Sequence, residues 1–137
     1  MSAGHLRRNP RRGSTLVESA IVAVVFLLLL VVIIESSRLG FAYNSISFAA
    51  HRAARYASVR GSASGHPASA ADVQAEAQSL IVALDTSKLT VTTTWTPDNN
   101  PGSTVQVVVS YGFKTVLVPV AGNLVRFQTT SRQIITQ

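Results

Sequence analysis

Side chains capable of acid–base or metal chemistry are few in this sequence: six carboxylates (Glu18, Glu35, Asp72, Glu76, Asp85 and Asp98), three histidines (His5, His51 and His66) and no cysteine. Glu18 stands apart from the rest. It lies at the edge of Ala20 to Ile34, a run without a polar side chain. A carboxylate in such surroundings is costly unless it meets a cation, so its natural chemistry is ion pairing in a low-dielectric medium. Asp72, Glu76, Asp85 and Asp98 form no recognisable acid/base pair, and the histidines lack the i, i+4 spacing of metal-binding helices. Without cysteine there is no disulfide framework, thiolate metal site or cysteine nucleophile. Gly61-Ser62-Ala63-Ser64-Gly65 has the outline of a nucleophile elbow, but Ala63 takes the position that serine needs and no strand is expected before it. The residues therefore predict no enzyme, no metal and no cofactor.

The element that must position Glu18 is a helix. Thr15 to Ile34 would extend about 30 Å, enough to cross a bilayer. The run is rich in Val and Ile, which favour helix only modestly in water, but in lipid every backbone group must be satisfied within the segment. Arg7, Arg8, Arg11 and Arg12 precede it and only Arg38, beside Glu35, follows closely. That bias places the N-terminus in the cytoplasm and everything after about Ile34 outside the cell membrane, as a single-pass protein. A secretory signal peptide is the rival reading, and the residues after Ile34 offer it no convincing small-x-small cleavage site.

The formal charge of +6 suggests a nucleic-acid binder until it is located. The four leader arginines account for most of it. From Ser14 onward eight basic side chains face six acidic ones, too small an excess for a phosphate-tracking surface, so nucleic acid is excluded as a partner.

Gly13 followed by Ser14-Thr15-Leu16-Val17-Glu18 resembles the processing site of type IV pilin-like proteins, where a membrane peptidase cuts after the glycine. The resemblance implies that Ser14 begins the mature chain. Glu18 is then the fifth mature residue, and in an assembled bundle it would seek a neighbour's new amino terminus and set the register between subunits. Further along, Glu35, Arg38, Asn44 and Ala53-Ala54-Arg55-Tyr56-Ala57 look like the TadE family, minor pseudopilins of the tight-adherence (Flp) pilus apparatus. The likeness is close over roughly residues 11 to 60. It implies a minor pilin or pseudopilin whose partners are a prepilin peptidase, other pilin subunits, the inner assembly platform and the membrane, with possible incorporation in a surface pilus. Two positions depart from related patterns: Ser19 stands where many members carry an aromatic residue, and Ser14 where type IV pilins and type II secretion pseudopilins usually carry Phe. Those two groups remain the alternative, together with an unprocessed single-span protein bearing an extracytoplasmic interaction domain.

The order of elements predicts an α+β fold. Residues 1–13 read as a cytoplasmic leader, disordered through residue 12, 14–34 as the transmembrane helix, 35–60 as its extracytoplasmic continuation, 61–69 as a linker and 70–137 as a small α+β domain. In the continuation, Leu39, Tyr43, Ile46, Ala50, Ala53 and Ala57 recur at helical spacing and define an apolar face. The alanines, Ala49 and Ala54 among them, allow close approach of a partner element. Arg38, Arg52 and Arg55 are candidates to pair with Glu35 or a neighbouring subunit. Ser69-Ala70-Ala71-Asp72 resembles a capping box and opens a second helix expected over 70–84. Leu89–Trp95 and Ser103–Tyr111 alternate as strands of a hairpin around the turn-forming residues 97–102, an exposed tip and candidate contact surface. Leu124 to about Ile135 reads as a third strand. Gly112–Val120 reads as an apolar loop, with Val116, Leu117, Val118 and Val120 either closing the core beneath the sheet, the favoured placement, or facing the membrane or another subunit.

Overall fold

The computed structural model describes residues 11–115 and 124–137. Helix α1, Arg11–Ser58, runs unbroken for 48 residues, about 72 Å. It has two unlike halves. From Gly13 to Ile34 every residue is exposed, and this is the one helix among the described residues long and apolar enough to cross a membrane. From Glu35 onward one face is buried. Between the halves, the Ser36 and Ser37 hydroxyls donate to the carbonyls of Val32 and Ile33 at 2.8 and 2.9 Å, so the first hydroxyls past the apolar run are satisfied within the helix.

Helix α2, Ala70–Ser79, opens with the expected capping box. The Asp72 amide donates to Ser69 Oγ at 3.2 Å and the Ser69 amide to Asp72 Oδ2 at 2.9 Å. It stops five residues short of the expected end at Leu84. The Ile81 amide turns back to the Gln78 carbonyl and Ala83 takes a left-handed backbone, φ 65°. Ile81 is nonetheless buried and Leu80 and Leu84 pack against the core. The apolar spacing therefore marked which side chains are covered, whereas the backbone leaves the helix where Ile81 and Val82, both β-branched, follow Leu80.

A 3-10 turn, Thr86–Lys88, leads into an antiparallel sheet of β1 (Leu89–Thr96), β2 (Thr104–Lys114) and β3 (Leu124–Ile134), in that spatial order. The expected α+β class holds, with a long helix, a second short helix and three strands. Strand β2 is longer than its expected end at Tyr111, since Gly112, Phe113 and Lys114 pair with Arg126, Val125 and Leu124. The proposed loop of 112–120 thus begins as strand, and the placement of Val116, Leu117, Val118 and Val120 lies outside the described residues.

The core fills the space between the second half of α1 and one face of the sheet. Val105, Val107 and Val109 are fully buried against Ile46, Ala49, Ala50, Ala53 and Ala57. Period-2 alternation on β2 and the alanine face of α1 meet there, and the small side chains bring helix and sheet backbones close. Helix α1 and β3 run in the same direction: Tyr43 meets Phe127 at 6.1 Å between ring centroids, Ser131 Oγ lies 3.0 Å from His51 Nδ1, and the Thr136 amide donates to the Ser58 carbonyl at 2.9 Å. The domain therefore has a near end, beside the bare half of α1, and a far end about 36 Å beyond Ile34. The near end holds residues 80–88, the end of β2 and the start of β3. The far end holds residues 59–69, the β1–β2 hairpin tip and the C-terminus.

Candidate functional site

Helix α1 presents the candidate residues along its length, and the structure does not bring them into one pocket. Gly13, Ser14 and Glu18 sit exposed on the bare half. Helix α1 is described from Arg11 onward, so the Gly13–Ser14 bond has helical residues on both sides, and Arg11 and Arg12 are helical where disorder through residue 12 was expected. Presenting this bond as an extended strand requires local unwinding, and a glycine lowers the cost.

Glu35 is different. Only 7% of it is exposed, and its Oε2 accepts from Arg38 Nη1 at 2.8 Å. The Arg38 guanidinium in turn lies 5.3 Å from the Phe113 ring centroid, so one cation joins the first turn of α1 beyond the apolar run to the end of β2. The spacing of three residues puts both side chains on neighbouring positions of the helix surface. Asn44 and Arg55 are exposed, and Arg52 with them. Tyr56 is half-buried, with the Arg60 guanidinium 4.1 Å from its ring centroid and in hydrogen-bond contact with its hydroxyl.

Among the described residues, Ser131 and His51 form the one pairing with the look of a nucleophile and its base. Ser131 is almost wholly buried on the inner face of β3, so its hydroxyl cannot reach a substrate from solvent, and the bond serves to fasten strand to helix. Among the described residues no group of three His, Asp or Glu side chains is placed to hold a metal.

The residues 13–55 match a family model described as TadE-like protein. The N-terminal helix is TadE-like. The matched segment starts at Gly13, takes in Glu18, Glu35, Arg38 and Asn44, and ends at Arg55, so it covers nearly all of α1 and none of α2 or the sheet. No curated protein and no solved structure matches the chain. The TadE-like segment thus includes the bare half of the helix and most of the face on which the domain is built.

Gly61 carries a role that sequence reading missed. A Cβ there would overlap the Gln137 carbonyl oxygen and the Ile135 side chain, so this glycine permits the C-terminus to close over the end of α1, beyond breaking the helix. The hairpin tip also differs from a free loop. The Asn99 carbonyl accepts from the Ser62 amide at 2.8 Å and Asn100 Oδ1 from Ser62 Oγ at 2.7 Å, tying the tip to the linker.

Proposed function

We propose that this chain is a minor pilin-like subunit of a Tad/Flp-type apparatus, anchored in the cell membrane by the first half of α1 with its N-terminus cytoplasmic, cut after Gly13 by a prepilin peptidase, and joined to other pilin subunits through the bare helix. The observation that carries this reading is that Gly13–Ile34 leaves the domain as a naked apolar helix, with Glu18 its single charged side chain, and falls within the TadE-like match. A surface of that kind is stable only in lipid or against other helices. The two environments correspond to the subunit before and after assembly. The inner assembly platform is the partner that would move it between them. The domain, by this reading, has a structural and not a catalytic task.

The test is the N-terminal mass of the protein from cells with and without a prepilin-type peptidase. A chain starting at Ser14 only when the peptidase is present supports the proposal. A start at Met1 or Ser2 in both strains overturns it, in favour of an unprocessed single-span protein.

A further inference from the structure

We infer that the near end of the domain is a docking surface for anionic phospholipid headgroups, made by Arg38, Lys88, Lys114 and Arg126. This rests on the reading that α1 spans the membrane. The helix fixes the height of everything packed against it: Arg38 is about 6 Å beyond Ile34, within a headgroup layer about 5–7 Å deep on each side of the hydrocarbon. Arg38 lies against Phe113, and the sheet register carries that height across the strands.

Phe113 pairs with Val125, Lys114 with Leu124 and Gly112 with Arg126. On the other side of β2, Leu89 pairs with Tyr111, so Lys88, one residue earlier, comes level with Gly112. Lys88 and Arg126 therefore flank a glycine in one row across the sheet. With no side chain between them they bound a notch of about 260 Å³, whose remaining walls are Thr90, Ser110 and Tyr111. Two cations, the Thr90 and Ser110 hydroxyls and an open floor suit a phosphate oxygen cluster.

The charge at this end is unbalanced. Glu35 and Asp85 are its acids, each already facing a cation, Arg38 at 2.8 Å and Lys88 at 3.2 Å. Lys114 and Arg126 are exposed beside them. An apolar side chain accompanies the cations: Val82, on the loop leaving α2, is 73% exposed. A surface combining cations with a protruding apolar tip, held near headgroup height by a spanning helix, matches an anionic interface in both charge and polarity. Docking would hold the domain down on the bilayer until the helix is drawn out, when these contacts must break.

The full chain has no cysteine, so single cysteines can carry fluorophores at Thr86→Cys (near end), Pro101→Cys (far end) and Leu28→Cys (membrane segment). The protein is reconstituted in vesicles of phosphatidylcholine alone or with phosphatidylglycerol, and quenching by nitroxides on lipid headgroups or acyl chains is read. The expected result is strong headgroup quenching at Thr86→Cys but not Pro101→Cys, dependent on phosphatidylglycerol and weakened by salt. Lys88→Glu, Lys114→Glu and Arg126→Glu together should lower the docked-to-free ratio on the order of a hundredfold. The glutamine versions of the same three should give a smaller loss, with the thermal melt of each variant reporting that the fold is kept. Equal quenching with and without phosphatidylglycerol, or none lost in folded charge-reversed protein, overturns the docking surface while leaving the spanning helix intact. Absence of acyl-chain quenching at Leu28→Cys overturns the spanning reading and this proposal with it.

Discussion

The Arg38 guanidinium donates to buried Glu35 at 2.8 Å while lying 5.3 Å from the Phe113 ring centroid. This places an ion pair where helix, sheet and the end of the apolar run meet. Removing one partner of a buried pair strands the other charge, whereas removing both does not. Half of the Arg38 side chain is exposed, which screens the interaction. Arg38→Met should therefore cost about 1–2 kcal/mol, less than a fully buried pair would. The double variant Glu35→Gln/Arg38→Met should lose less than the sum of the singles. Denaturant melts of the full chain in detergent give the four corners of the cycle, and additive losses would show that the pair is not coupled.

The alanine face of α1 sets the distance between helix and sheet. Ala53 has no exposed surface and lies in the cluster that includes Val107 and Val109. Ala53→Leu adds three carbons at a fully buried position, for an expected loss of about 1–3 kcal/mol. Ala20→Leu, on the bare half, should leave the same melt unchanged. A tolerated Ala53→Leu would mean that the interface is looser than its burial indicates.

Gly61→Ala tests the closure at the far end. Its Cβ would meet the Gln137 carbonyl and the Ile135 side chain, and Ile135 has little room to yield: it is 1% exposed and is held by hydrogen bonds with both Ser103 and Gly102. We expect a loss of about 1–3 kcal/mol. Deleting Thr136 and Gln137 in the Gly61→Ala background should recover part of it. Gly65→Ala is a control of another kind, strained by its φ of 75° but in open space.

Much of this architecture was legible in the sequence because its signals are local and redundant. The apolar run, the capping box at Ser69 and Asp72, and alternation on Val105, Val107 and Val109 each follow from short-range periodicity. What escaped depends on contacts distant in sequence. Periodicity at Leu80, Ile81 and Leu84 recorded burial correctly but could not tell helix from a turn with a left-handed Ala83. Nothing local at Gly61 announces the C-terminus 76 residues later. The likeness carried by Glu35 and Arg38 singled out both residues, while the contact with Phe113 and the row of Lys88, Gly112 and Arg126 needed the strand register.

Acidification should weaken the domain from its capped turns. Hydrogen bonds from Ser69 hold the Asp72 carboxyl below its ordinary 3.8, those from Ser87 do so for Asp85, and those from Ser103 and Asn100 for Asp98. A carboxyl whose folded value is depressed binds protons more readily when unfolded. Its contribution is thus complete above the unfolded value and lost as pH falls through the folded one. The thermal midpoint should be flat from pH 7 to about 5 and fall below about 4. Asp98→Asn should lower the midpoint at pH 7 and reduce the difference between pH 7 and pH 3. An unchanged pH difference in that variant would remove Asp98 from the account.

Glu18 is exposed on a helix with no other charge between Gly13 and Ile34, and by the proposed function its partner comes from a neighbouring subunit. In an assembled bundle the cation chemically suited to it is the amino terminus created at Ser14 of a neighbour, four residues from a Glu18 position and therefore about 6 Å along the axis. That offset would fix the stagger between subunits. Under the proposed processing, a peptidase would recognise the Gly13–Ser14 bond and its surroundings, not this pairing. Glu18→Ala and Glu18→Gln should accordingly leave cleavage largely intact and reduce cross-linking to neighbouring subunits several-fold, since an uncompensated amino terminus in a helix bundle is costly. Glu18→Asp, shorter by one methylene, should fall between. Unchanged cross-linking in both Glu18→Ala and Glu18→Gln would show that the carboxylate sets no register and that the bare helix packs by its apolar surface alone.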